Sequence, residues 1–99
     1  MLVHSINVVE VKVGARFQAV ADVRLAEYAS KYQRSSECLG YTLLGVASGE
    51  MPRVLSGYWT SDTAMTEHYD HPELKALLEF LIGKGASLKF SIFRVVALI

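Results

Sequence analysis

LVHSINVVEVKVG, residues 2–14, decides the fold. Its odd positions are Val3, Ser5, Asn7, Val9, Val11 and Val13; its even positions are Leu2, His4, Ile6, Val8, Glu10 and Lys12. Both sets are largely apolar and rich in β-branched side chains, which suit a pleated strand covered on both sides. Gly14 ends the strand. Such a strand needs a layer of helix on one face and a second surface on the other.

The rest of the chain supplies the helices. Phe17, Val20, Ala21, Leu25, Tyr28, Ala29 and Tyr32 recur at steps of three and four, which predicts an amphipathic helix from Ala15 to about Ser36. Ser35, Ser36 and Gly40 mark its exit. Tyr41–Ala47 and Val54–Thr60 read as strands on either side of a turn over 48–52, where Pro52 cannot donate to a ladder. Ser61 or Asp62 caps a short helix with Met65 at core spacing. Pro72 disfavours helical backbone at His71, so a second helix starts at Pro72 and packs Leu74, Leu77, Leu78 and Leu81 before Gly83-Lys84-Gly85 stops it. Leu88–Ile99 is the last strand. The order predicts an α+β, ferredoxin-like βαββαβ fold, a four-stranded antiparallel sheet with helices on one face.

Length and composition bound the function. Ninety-nine residues, 1–99, make one domain that buries roughly 60–70% of its unfolded surface. Ten basic residues balance ten acidic ones and neither sign forms a block, which argues against nucleic acid or an anionic membrane as partner. The single cysteine, Cys38, excludes an internal disulfide, and no stretch reads as a signal peptide or a membrane span, so a cytoplasmic protein is expected. Hydrophobic residues make up 52% of the chain. That surplus, with Leu2, Ile6 and Val8 on the face away from the helices, predicts a homodimer formed sheet against sheet.

Several residues are candidates for chemistry. Asn7 interrupts an apolar strand; it is either an amide bonded to a neighbouring backbone group or a neutral donor aimed at developing negative charge in a dry cleft. Trp59, the only tryptophan, is either packing or an indole donor, and its odd position predicts that it shares Asn7's side of the sheet. His68 titrates near neutrality and is the candidate base for a phenolic proton, with a rate that rises near an ordinary imidazole pKa of about 6.5. His71, before a proline, suits the helix boundary, and the His68/His71 pair has no third metal ligand in view. Tyr28 and Tyr32, on the helical stripe, suit pocket walls. Tyr58 alternates to the other side of the sheet, and His4 belongs with that other face. Cys38 reads as an inert thiol. The glycines form neither a dinucleotide nor a phosphate loop, so no nucleotide cofactor is indicated.

Tyr58-Trp59-Thr60-Ser61-Asp62, then His68, then His71-Pro72-Glu73-Leu74-Lys75-Ala76, together with Val13-Gly14 before the helix and Gly40-Tyr41 entering the second strand, resemble the antibiotic biosynthesis monooxygenase family over nearly the whole chain. The resemblance implies a dimeric α+β barrel with a cleft between sheet and helices in each subunit. It implies oxygenase activity on small phenolic, quinol or other aromatic compounds without metal or flavin, hence no cofactor, with His68, Asn7 and Trp59 in the catalytic site. Tyr28, Tyr32, Met65 and Leu78 are then expected to contact substrate; Met65 stands where polyketide oxygenases carry a tyrosine, and Leu78 near the place of the haem-degrading branch's histidine. The segment Ser36-Glu37-Cys38-Leu39-Gly40 departs from the family's usual Glu-x-Gly-Cys. A second reading keeps the same cleft as a binding site for an apolar ligand, or the chain as a pathway-associated dimer, without turnover.

Overall fold

The computed structural model describes residues 2–32 and 37–97. Four strands form one antiparallel sheet in the order β2-β3-β1-β4: β1 Ser5–Lys12, β2 Cys38–Gly45, β3 Arg53–Trp59 and β4 Ser87–Arg94. Three helices, α1 Gln18–Tyr32, α2 Asp62–Tyr69 and α3 Pro72–Gly83, complete the βαββαβ order expected from the sequence.

Alternation in β1 sets the layers. Ser5, Asn7, Val9 and Val11 are buried on the helix side, while Ile6, Val8 and Glu10 are half-buried on the other. The strand is shorter than its apolar pattern: it begins at Ser5, and Leu2 is largely exposed. Residues Ala15–Phe17 form a single 3-10 turn before α1. From α1 the side chains of Ala21, Leu25, Tyr28, Ala29 and Tyr32 are buried, whereas Val20, expected on that stripe, turns outward. The expected helix exit at Ser35 and Ser36 and the end of the last strand at Ile99 lie outside the described residues; β4 itself closes at Arg94.

The helix boundaries have local causes. The Ser61 hydroxyl accepts the Ala64 N–H at 3.1 Å and caps α2. His71 caps α3, its Nδ1 accepting the Glu73 N–H at 3.2 Å with Pro72 in the first turn. Leu74, Leu77 and Leu81 of α3 are buried and Leu78 is half-buried. The turn between β2 and β3 carries Gly49 at φ 82° and a cis Met51–Pro52 bond.

Helix cover stops short of β4. Leu88, Phe90 and Ile92 share the helix side with Val11, Val9 and Asn7, yet Phe90 and Ile92 are about half exposed. On the opposite face Ile6, Val8, Tyr58, Leu44 and Phe93 make an apolar surface without a covering layer among the described residues.

Candidate functional site

Register brings the site together. Asn7 of β1 lies opposite Gly57 of β3, and Gly57 lies opposite Tyr41 of β2, so the three form one row across the helix side of the sheet. Trp59 is two residues along β3 on the same side. An added Cβ at Gly57 would sit 2.4 Å from Asn7 Oδ1, 2.7 Å from Tyr41 Cζ and 2.9 Å from Trp59 Nε1. Contacts that close do not occur, so the missing side chain makes room for this row.

The polar groups of the row bond to one another and to α2. Trp59 Nε1–H donates to Asn7 Oδ1 at 2.6 Å, and Asn7 Nδ2 donates to Tyr41 Oη at 3.4 Å. Tyr41 Oη lies 2.9 Å from His68 Nε2, and Tyr28 Oη, reaching in from α1, bonds to the same nitrogen. The His68 ring lies 4.7 Å from that of Trp59 and 4.8 Å from that of Tyr32, centroid to centroid. Asn7, Trp59 and His68, singled out in the sequence, are therefore one cluster. Asn7, Trp59, Tyr41, Tyr28 and His68 are all buried.

Burial sets the protonation states. It is the larger cause, ahead of neighbouring His71, that pushes the His68 pKa down to about 4. The expected rate rise near 6.5 is thus displaced downwards, because the ring is held in a site that disfavours its cation. Burial likewise raises the Tyr41 hydroxyl to about 12 and pushes Tyr28 up further, with Tyr41 the next cause there. Tyr32 rises to about 12 through burial and the Glu73 carboxylate. The network is a set of neutral groups at pH 7, with His68 the most readily protonated of them.

A cavity of about 280 Å³ opens onto this cluster, lined by Tyr32, Glu37, Trp59, Ala64, Glu67, His68 and His71. Of the residues expected to meet a substrate, Tyr32 lines it. Tyr28 stands behind His68, in the network. Met65 is 2% exposed and belongs to the core, and Leu78 packs half-buried against that core; neither is part of the lining. Asn7 is also behind the wall, and the Trp59 N–H is spent on it. Trp59 offers the cavity its ring, and Asn7 holds Trp59 and Tyr41 in place. Tyr41 and Gly57 were not singled out in the sequence; their roles depend on the β2/β3 register and on the irregularity between Cys38 and Gly40 that sets it.

Three other clusters contrast with this one. A larger cleft of about 420 Å³ between α1 and α3 is lined by Arg24, Glu27, Lys31 and Glu73 among others, with Lys31 paired to Glu73. His4, Ser5 and Asp62 are in hydrogen-bond contact, but Ser5 is fully buried and donates to Asp62 Oδ1 at 2.5 Å, so its oxygen accepts from His4 Nδ1. Arg94 Nε donates to Asp62 Oδ2 at 2.8 Å. Ser5 and Arg94 hold the Asp62 carboxyl below its usual range, and the group clamps α2 to β1 and β4 rather than activating a nucleophile. The Cys38 thiol is buried, raised by that burial, and donates to the Gly40 carbonyl at 3.3 Å. Among the described residues no group of three or more His, Cys, Asp or Glu is placed to hold a metal ion, and no helix is long and apolar enough to cross a membrane.

No family model matches the chain, and no curated protein matches it in sequence. Solved structures do. A candidate antibiotic biosynthesis monooxygenase of Deinococcus radiodurans superposes with a TM-score of 0.88 at 19% identity, over 96% of this chain and 95% of that one. A conserved protein of Bacteroides thetaiotaomicron gives 0.82 at 14% identity, over 95% and 100%. SnoaB, a cofactor-independent oxygenase of Streptomyces nogalater, gives 0.79 at 18% identity, over 99% and 98%. At these identities the likeness establishes a shared fold along the full length of the chain.

Proposed function

We propose that the protein is a cofactor-independent monooxygenase acting on a small phenolic or quinol-type aromatic held against Trp59 and Tyr32. The observation that carries the reading is a buried, neutral imidazole, His68, at the wall of a ring-lined cavity. The fold shared with SnoaB supports it.

Proton transfer comes first. A phenol near pKa 10 giving its proton to a base near 4 climbs about 8 kcal/mol, a climb compatible with enzymatic turnover, and it yields a phenolate that gives up an electron far more readily than the neutral phenol. The proton goes to the imidazole of His68, which Tyr28 and Tyr41 hold in place through their hydrogen bonds at Nε2. The electron then passes from the phenolate to dioxygen. Superoxide and the phenoxyl radical join at an open ring carbon, forming the C–O bond. His68 returns its proton to the peroxide as the O–O bond breaks, and the ring carbon loses its hydrogen as a proton. Phenol and dioxygen give quinone and water, four electrons leaving the organic substrate. Asn7 and Trp59 keep the cavity dry and the imidazole in register.

The self-satisfied network favours a second reading, a binding site for a similar aromatic without turnover. Oxygen uptake by metal-free protein over a panel of hydroquinones and anthrones separates the two. Uptake lowered about a hundredfold in His68→Gln supports catalysis; binding without uptake supports the carrier.

The apolar face of the sheet, without a covering layer among the described residues, supports a homodimer burying more than about 1,200 Å². Ile6→Asp places an unpaired charge there and is expected to give a monomer in sedimentation.

A further inference from the structure

The rim of the cavity differs from its floor. The floor is made of buried rings, Trp59, Tyr32 and His68, and the rim carries the exposed side chains of Glu37 and Glu67. Neither lysine nor arginine is among the described lining residues. Glu37 is fixed in place: its Oε2 accepts from Thr60 Oγ1 at 2.9 Å, and its carbonyl accepts the Thr60 N–H at 3.3 Å. Glu67 is held by α2, one residue before His68, so the helix that presents the imidazole presents this carboxylate as well.

We propose that Glu37 and Glu67 select substrate by charge: the site takes an aromatic whose outward substituent is a protonated amine or a hydroxyl donor, and turns away carboxylates. The inference rests on the reading that the cavity holds an aromatic. A carboxylate entering past the two exposed glutamates meets repulsion from both, moderated by the solvent around them. A hydroxyl can donate to either, and an ammonium gains Coulomb attraction together with the faces of the rings below. The α1/α3 cleft would not discriminate in this way, because Arg24 and Lys31 balance Glu27 and Glu73 there.

Three quinols that differ only in one substituent test this: 2,5-dihydroxybenzylamine, 2,5-dihydroxybenzyl alcohol and 2,5-dihydroxybenzoate, titrated by calorimetry at pH 7 without oxygen. The expected order of affinity is amine, alcohol, carboxylate, with roughly tenfold between the ends at low salt and a much smaller gap near 1 M salt. In a Glu37→Gln, Glu67→Gln double variant the three should fall within about twofold of one another. Alcohol binding with no order among the three, or an order that survives the double substitution or high salt, overturns the charge selection alone. No binding of any of the three overturns it together with the aromatic site on which it rests.

Discussion

The two halves of β1 face the same layer of helices and do different things. Val9 and Val11 stand in an aliphatic core with Leu25, Leu55, Leu77 and Leu81. Ser5 and Asn7, equally buried on the same face, stand among hydrogen-bonding groups. The aliphatic half needs only volume and water exclusion. The polar half needs every donor matched, since an unpaired buried group costs about 1–3 kcal/mol, and no described buried side-chain nitrogen or oxygen is left without a partner. One strand thus carries a half that stabilises and a half that is specified atom by atom, and the second half stands behind the cavity wall, where Asn7 holds Trp59.

The largest effect expected from breaking this division is in the aliphatic half. Leu81→Ala, at a fully buried position, should lower unfolding free energy by about 2–5 kcal/mol in denaturant titration, with quinol affinity kept wherever the protein remains folded. Next comes the acid branch of the stability curve. The folded state holds His68 near 4 against 6.5 for the free group, so below 6.5 the unfolded chain takes a proton that the folded chain refuses. The His68 contribution should lower stability by roughly 3 kcal/mol as pH drops from 6.5 to 4 and level below that, where protonation of the depressed Asp62 carboxyl carries the decline further. In His68→Gln this part of the slope should vanish. Gly57→Ala should cost about 1–3 kcal/mol, the scale of overpacking, because its Cβ collides with Asn7, Tyr41 and Trp59. Unlike Leu81→Ala, it should also abolish quinol binding and shift Trp59 fluorescence. Tyr41→Phe, which removes the bonds to Asn7 and His68 without adding bulk, should cost about 1–3 kcal/mol, read as a change in midpoint at unchanged slope, and should leave quinol binding in place.

The same division governs what the sequence discloses. Periods of two and of three to four residues are set by which side of an element is apolar, so β1, α1, α3 and the chain order are legible in the pattern of Val, Leu and Ala. The side that Asn7 takes on β1 and the alternation of Trp59 with Tyr58 on β3 are legible because alternation along one strand is local; that the two sides coincide is set by the β1/β3 register. Tyr41 is not legible, because its neighbours depend on how β2 registers against β3, and an irregularity at Cys38/Gly40 shifts that register. Gly57 reads as any strand glycine until the distances to its neighbours are known. Val20 looks like a member of the α1 stripe and turns outward. Met65 and Leu78, placed at the site by family resemblance, sit in and against the core instead, since position along a motif does not fix which side of a helix faces the cavity. The acidic rim joins the loop before β2 to α2, two segments whose meeting no spacing announces.

The central claim is that His68 is a neutral proton acceptor at the wall of an aromatic-binding cavity. Nuclear magnetic resonance titration of its ring, with and without a neutral quinol under anaerobic conditions, tests that claim directly. A midpoint near pH 4 is expected in the free protein, with ring resonances that move on binding at pH 7. A midpoint at or above 6.5, or ring signals indifferent to saturating quinol, would contradict it.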